Sequence, residues 1–417
     1  MNSLAINNKT TKSRLYTLKA VLDYLVRAQG SPVSRAELAR ELALAKSTVS
    51  AAIEACLRAG LLLPVTEQGP ATAPGRPASF FRLHPTAVVI GGVEIGSTKC
   101  RMVLVGTGGT VLADTEIDSP VQSSRPVEYV EVIADKIRGL LTQADVSATH
   151  LLGVGVGTPG LVAPSEGVIR AAYDFDWYDV PLGPMLAERL GVPVVLANRG
   201  KMGALGEFEQ GEGQGKQNII YIWLGTGVTG GLILSGQLYW GTVGAGEAIG
   251  HIMVEPDGEI CGCGSVGCLM TVATLPAISK RVRYAIKQGQ SSSLLDRVGG
   301  DISRIDGWMV AEAAAAGDPL ALATVCEAGQ HIGMVVAGMV NLLSPDIVII
   351  GGPMSRVGEP LIETIRQTVR NHSLSQFYSR LEIVQSKLGS LAGAVGAAYY
   401  MLCHTYLLAS YVQQFEK

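Results

Sequence analysis

The chain has 417 residues, 47% of them hydrophobic, with 51 glycines and a formal net charge of −3. This composition excludes a disordered or collagen-like polymer and leaves room for two or three packed domains of a soluble α/β protein. The charge is uneven: residues 1–85 carry eleven Lys/Arg against five Asp/Glu, and a basic head on an acidic body suits contact with a polyanion.

Met1 to Thr11 is polar, so no secretory signal is expected. Leu15, Leu18, Val21, Leu22 and Leu25 recur at helical spacing, and Gly30-Ser31-Pro32 ends that helix. Ser34-Arg35-Ala36-Glu37 has the spacing of a capping box and opens a short second helix. A turn near Leu42–Ala45 leads into a third helix, with Val49, Ile53 and Leu57 inward and Gly60 as its stop. Pro64 to Ser79 reads as a wing or linker, and Phe80–Leu83 as a returning strand.

Three short helices and a wing form a winged helix-turn-helix pattern for double-stranded DNA. Arg35, Lys46, Ser47, Thr48 and Ser50 are its candidate contact residues, and the small Ala51 and Ala52 allow close approach. Arg76, held between Gly75 and Pro77, suits a narrow minor groove. The alternatives are a helical bundle for dimerisation and an ordinary linker.

Beyond Ala87, strands are expected at Val88–Glu94, Arg101–Val105, Val111–Thr115, Leu151–Val156, Val194–Ala197, Asn218–Trp223, Gly231–Leu234, Ile347–Ile350 and Leu381–Val384. Helices are expected at Val127–Leu141, Pro319–Leu342 and Leu391–Leu408. The alternation implies a mixed or parallel sheet covered on both faces. Two glycine-rich turns, Glu94–Lys99 and Gly225–Gly231, each introduce a hairpin, which points to a duplicated, two-lobed body. Polar residues break the apolar stretch Ile332–Ile350, so no membrane span is expected.

Gly225-Thr-Gly-Val-Thr-Gly230 satisfies GxGxxG, but a hairpin follows instead of a helix, so the dinucleotide reading fails. Cys261, Cys263 and Cys268, with His251 ten residues upstream, offer three sulfurs and one nitrogen. That set suits a closed tetrahedral zinc with a structural role; the alternative is reduced thiols without metal. Seven cysteines, an odd number, fit a reducing cytoplasm.

Gly225 through His251, Leu343 through Gly352, and Gly153 through Gly160 resemble the ROK family of repressors and sugar kinases, nearest to its xylose-type and N-acetylglucosamine-type repressors. The resemblance covers nearly the whole chain. It implies an actin-like two-lobed sugar-kinase fold, zinc on His251, Cys261, Cys263 and Cys268, and dimers or tetramers. The domains would be a head over 1–85, a first lobe over about 86–200 with a C-terminal helix near 390–410, and a second lobe over about 201–389. It also implies a sugar-type effector between the lobes on Thr158, Pro159, Gly160, Asn198, Arg199, Glu247 and His251.

The departures matter as much. Arg199 stands where the kinases carry the aspartate base, and an always-protonated guanidinium cannot take a proton. Ala248 and Met270 replace two glutamates of the family pattern, and Glu94 its first aspartate. Loss of acidic groups argues against phosphoryl transfer and against a neutral hexose. Two roles are open to Arg199: clamping the phosphate or carboxylate of an acidic sugar derivative, or pairing with an internal acid such as Glu207. The reading is a cytoplasmic, DNA-binding repressor of carbohydrate genes and not an enzyme. The alternatives are a sugar kinase with a DNA-binding head and an effector-independent DNA-binding regulator.

Overall fold

The apolar repeat from Leu15 to Leu25 forms α1 (Lys9–Arg27), burying Leu18, Val21, Leu22 and Leu25. The computed structural model describes residues 9–28, 30–65, 79–119, 125–172, 175–242, 247–403 and 406–415. After β1 (Val33–Ser34), α2 (Arg35–Glu41) opens on the capping box: Ser34 Oγ accepts from the Glu37 amide, and Glu37 accepts from the Ser34 amide. Tyr24 of α1 donates to the same Glu37 carboxylate, tying the first two helices together. α3 (Lys46–Arg58) buries Val49, Ile53 and Cys56. β2 (Leu62–Val65) and β3 (Phe80–Leu83) complete a three-stranded sheet of order β1-β3-β2.

The chain clusters into two compact units, Met1–Ala197 with Ala397–Lys417, and Asn198–Gly396. In the first, β4 (Val89–Ile95), β5 (Lys99–Gly106) and β6 (Val111–Asp118) run antiparallel, and α4 (Pro126–Gln143) covers them through Tyr129, Ile133 and Ile137. β7 (Leu151–Thr158) pairs parallel with β4. A small sheet of β8 (Leu161–Ala163), β9 (Val168–Ala172) and β10 (Trp177–Val180) follows. After α5 (Leu182–Leu190), β11 (Val194–Asn198) closes the large sheet, of order β11-β7-β4-β5-β6.

The second unit repeats this plan. α6 (Arg199–Gln210) precedes β12 (Ile219–Leu224), β13 (Val228–Leu234) and β14 (Gln237–Leu238), which run antiparallel. Then come α7 (Leu275–Lys287), α8 (Ser293–Arg297), α9 (Gly307–Ala315) and α10 (Pro319–Leu343). β15 (Ile347–Gly351) pairs parallel with β12, and after α11 (Glu359–His372) and α12 (Ser375–Tyr378), β16 (Glu382–Gln385) pairs parallel with β15. The order β14-β13-β12-β15-β16 has the same topology as the first large sheet, three antiparallel strands and then two more beyond the first of them. The duplication expected from the two hairpin turns is present in the strand order.

One helix among the described residues, Pro319–Leu343, is long and apolar enough to cross a membrane. Its buried face, including Ile332, Val336 and Val340, belongs to the core of the second unit, together with Leu361 and Ile365 of α11. Where one helix was expected over Leu391–Leu408 there are two, α13 (Ala392–Cys403) and α14 (Leu407–Gln413). Lys19 of α1 donates to the Cys403 carbonyl, and Tyr16 meets Tyr406 edge-on at 5.5 Å, so the end of the chain packs against the first helix.

Candidate effector and metal sites

Asn198 and Arg199 stand where β11 turns into α6. Asn198 caps the helix: its Oδ1 accepts from the Gly200 amide at 2.8 Å and faces the Thr229 hydroxyl at 3.5 Å. The helix start lies hard against β13, because a Cβ on Gly200 would stand 2.4 Å from the Gly230 carbonyl. That contact explains a glycine at 200 and fixes the direction of its neighbour. Arg199 is buried, its guanidinium carbon 4.1 Å from the centroid of the Trp223 ring, and its Nη2 borders Gly227. Met270 reaches the same loop from the other side, accepting at Sδ from the Val228 amide at 3.0 Å. A stacked cation and a thioether thus border one glycine-rich turn.

Glu207 does something else. Its carboxylate accepts from the Ser386 hydroxyl, the Leu388 amide and the Glu212 amide, and so holds two loops to α6. Lys201, two residues beyond Arg199 on the same helix, is buried beside Trp240, its Nζ 5.9 Å from the ring centroid.

Thr158, Pro159 and Gly160 lie in the first unit, at the end of β7. The Thr158 side chain is buried, its hydroxyl directed at the Pro159 carbonyl. Gly160 has φ +84°, and a Cβ there would collide with the Ala171 carbonyl at 2.1 Å, so this tight turn requires glycine. Asn198, Arg199, Glu247 and His251 belong to the second unit. Glu247 and Ala248 share a short 3-10 segment that ends at His251.

The structure brings His251, Cys261, Cys263 and Cys268 together: one donor atom from each lies within 4.8 Å of the other three. Cys261 Sγ is 3.6 Å from His251 Nδ1, and Cys263 Sγ is 3.7 Å from Cys268 Sγ. Tetrahedral zinc with bonds of about 2.0–2.3 Å needs edges of roughly 3.5–3.8 Å, so the donor set fits such an ion. Hydrogen bonds from the Ser265 backbone and hydroxyl bring the Cys263 thiol down to about 6, while burial pushes the Cys268 thiol up to about 12. A divalent cation at the centre would favour the thiolate at all three. Four protein donors leave no open position, so its contribution would be to hold the loop.

In the head, Lys46 and Ser47 are exposed at the start of α3, and Thr48 and Ser50 are half-buried beside them. Ala45 at the N-cap offers no side chain to the first turn. Ala51 is exposed, but Ala52 is in the core, against the expectation that both allow close approach to DNA; helical periodicity turns it inward with Val49 and Ile53. Arg35 pairs with Glu54 and lies with its guanidinium carbon 4.5 Å from the Phe81 ring centroid, so it also fastens α2 to α3 and β3. Arg76 lies outside the described residues.

A family model described as the ROK family matches residues 90–403. The chain belongs to the ROK family. A glucokinase of Thermotoga maritima is 35% identical over 74% of this chain and 95% of its own length. The DNA-binding transcriptional dual regulator NagC of Escherichia coli is 29% identical over 91% of both chains, and a xylose repressor of Caldicellulosiruptor bescii is 26% identical over 92% of this chain and 94% of its own. Among solved structures, a ROK family transcriptional regulator described as a homolog of the E. coli MLC protein matches 96% of this chain and 99% of its own, at 28% identity and TM-score 0.79. A ROK glucokinase from Streptomyces griseus, solved with glucose and AMPPNP, covers 75% of this chain at 32% identity and TM-score 0.65. The α/β sugar-kinase fold expected of this family is what the two large sheets build.

The sequence reading missed Trp223. It sits on a strand between apolar residues, and nothing in its spacing shows that a side chain from the start of the preceding helix, α6, will stack on it. It also missed the double role of Asp318, which caps α10 through the Ala321 amide and accepts from Ser292 and Ser293 at the start of α8.

Proposed function

We propose that this chain is a DNA-binding transcriptional regulator, a repressor of carbohydrate-utilisation genes that responds to a sugar or acidic sugar derivative. The observation that carries this reading is the pattern of coverage. Regulators match the chain almost from end to end, whereas glucokinases match only about three quarters of it while using nearly all of their own length. The family model itself begins at residue 90, beyond the head.

The head supports the reading in chemistry as well. Three helices and a three-stranded sheet make a winged helix-turn-helix, with Lys46, Ser47, Thr48 and Ser50 on one end of α3. Its first-turn amides, without a side-chain cap, suit a phosphate oxygen. Zinc on His251, Cys261, Cys263 and Cys268 is structural in this account. The effector residues are Thr158, Pro159, Gly160, Asn198, Arg199, Glu247 and His251, with Arg199 presenting a planar fork to a carboxylate or phosphate. Arginine at the base position and methionine at 270 leave no group there to take a hydroxyl proton.

A sugar kinase carrying a DNA-binding head is the second reading, favoured by the higher identity to glucokinases than to regulators. Selection of bound fragments from sheared genomic DNA by the purified full chain separates the two. Enrichment of a few discrete sites supports the regulator. No enrichment, together with ATP turnover in the presence of a sugar, supports the kinase.

A further inference from the structure

A cavity of about 800 Å³ opens in the first unit where four segments meet: the end of α3, the residues joining β3 to β4, the end of α4 with the turn after it, and α14. Its polar lining includes His84, Thr142, Asp145, Ser147, His150 and Tyr411. None of these belongs to the effector or metal residues above.

The chemistry of the lining narrows the ligand. Two helices, α3 and α4, end at the cavity, through Ala59–Gly60 and Leu141–Thr142, and helix C-termini carry partial negative charge. Asp145 adds a carboxylate whose oxygens accept no hydrogen bond among the described residues. An anion is therefore disfavoured. A metal is disfavoured too, because His84 Nδ1 already accepts from the Thr86 amide at 3.2 Å, which leaves a neutral His84 with a proton on Nε2. What remains is a mixed set: the His84 Nε2–H as donor, Asp145 as acceptor, the Thr142 hydroxyl as acceptor because its proton goes to the Arg138 carbonyl, the Tyr411 hydroxyl and the His150 ring as either, and the Tyr411 ring as an apolar face, while the Ser147 hydroxyl is taken up by Thr149. Such a set pairs with a small neutral molecule that carries several hydroxyls on a carbon skeleton.

We infer that this cavity is a second small-molecule site, for a polyhydroxylated ligand such as a monosaccharide or polyol, placed where the head meets the body. Its occupant would touch the end of α3 and the body at once, and so would fix the stance of the helix that carries Lys46 and Thr48. Only that consequence rests on the DNA-binding reading; the site itself does not.

The test is calorimetric titration of the full chain with D-glucose, D-xylose and xylitol, repeated with Asp145→Asn, with Tyr411→Phe, and with Arg199→Ala as a variant at the other site. Saturable binding of at least one probe is expected, weakened about tenfold or more by Asp145→Asn, which removes the charge from the acceptor. Arg199→Ala reports binding at the other site, so a probe that meets both sites shows a second event that Asp145→Asn leaves in place. Asp145 is exposed, so its variant is expected to fold, and an unchanged melting temperature would confirm that. No saturable binding of any probe, or binding that only Arg199→Ala weakens, would overturn the inference.

Discussion

The Arg199 guanidinium carbon sits 4.1 Å from the centroid of the Trp223 ring, at the junction of β11 and α6. The stack explains how the body tolerates a buried cation there: the indole face attracts the charge and holds the guanidinium plane in one orientation. Placing an acid at this position is then not a simple exchange. Arg199→Asp should cost about 1–2 kcal/mol of stability through the lost stack. No sugar-dependent ATP turnover should appear, because Met270 and Ala248 still lack carboxylates. Denaturant unfolding and a coupled ATPase assay check both halves.

The four-residue metal cluster should contain one zinc per chain. Cys261→Ser or His251→Ala removes one of four donors and should lower both zinc content and melting temperature. Exhaustive chelation of the wild type should lower its melting temperature to a similar extent. Elemental analysis with thermal unfolding reads both effects. Full stability at zero zinc would contradict the structural role.

Asp318 links acid stability to two helix starts. Burial raises its pKa, but the Ala321 amide and the Ser293 and Ser292 groups outweigh that and hold the carboxyl below the usual range. Because the folded value is depressed, its stabilisation is complete above the unfolded value of about 4 and is lost as pH falls through the folded one. Asp318→Ala should cost about 1–3 kcal/mol near neutrality. The wild type's advantage over it should shrink below about pH 4. Denaturant titrations at several pH values measure the difference.

Lys46→Ala should weaken binding to selected DNA and lower the salt dependence of binding by about one unit of slope. Arg35→Ala should weaken binding and also destabilise the head, since Arg35 pairs with Glu54 and lies against Phe81. Fluorescence anisotropy at several salt concentrations, beside thermal unfolding, distinguishes a DNA contact from a lost fastening.

Much of this was legible beforehand, and the exceptions have physical causes. Buried strands such as Ile347–Gly351 read as continuous apolar runs because both faces are covered. The capping box at Ser34 and Glu37 is a local device and reads locally. The cysteine spacing pointed to the cluster of four donor groups for the same reason. The small sheet of β8, β9 and β10 did not read, because its first strand has three residues and no clear alternation. The roles of Glu207 and Trp223 were hidden, since their partners are brought to them by tertiary packing. The i,i+8 spacing of Arg199 and Glu207 invited a pair, whereas the carboxylate holds Ser386, Leu388 and Glu212.

The most direct test of the central claim is an anisotropy titration of the full chain on its own selected DNA sites, in the presence and absence of neutral sugars, sugar acids and sugar phosphates. The account expects tight, salt-sensitive, sequence-specific binding that one class of these compounds releases. Failure to bind any selected sequence more tightly than random DNA, with sugar-dependent ATP consumption by the same preparation, would contradict it.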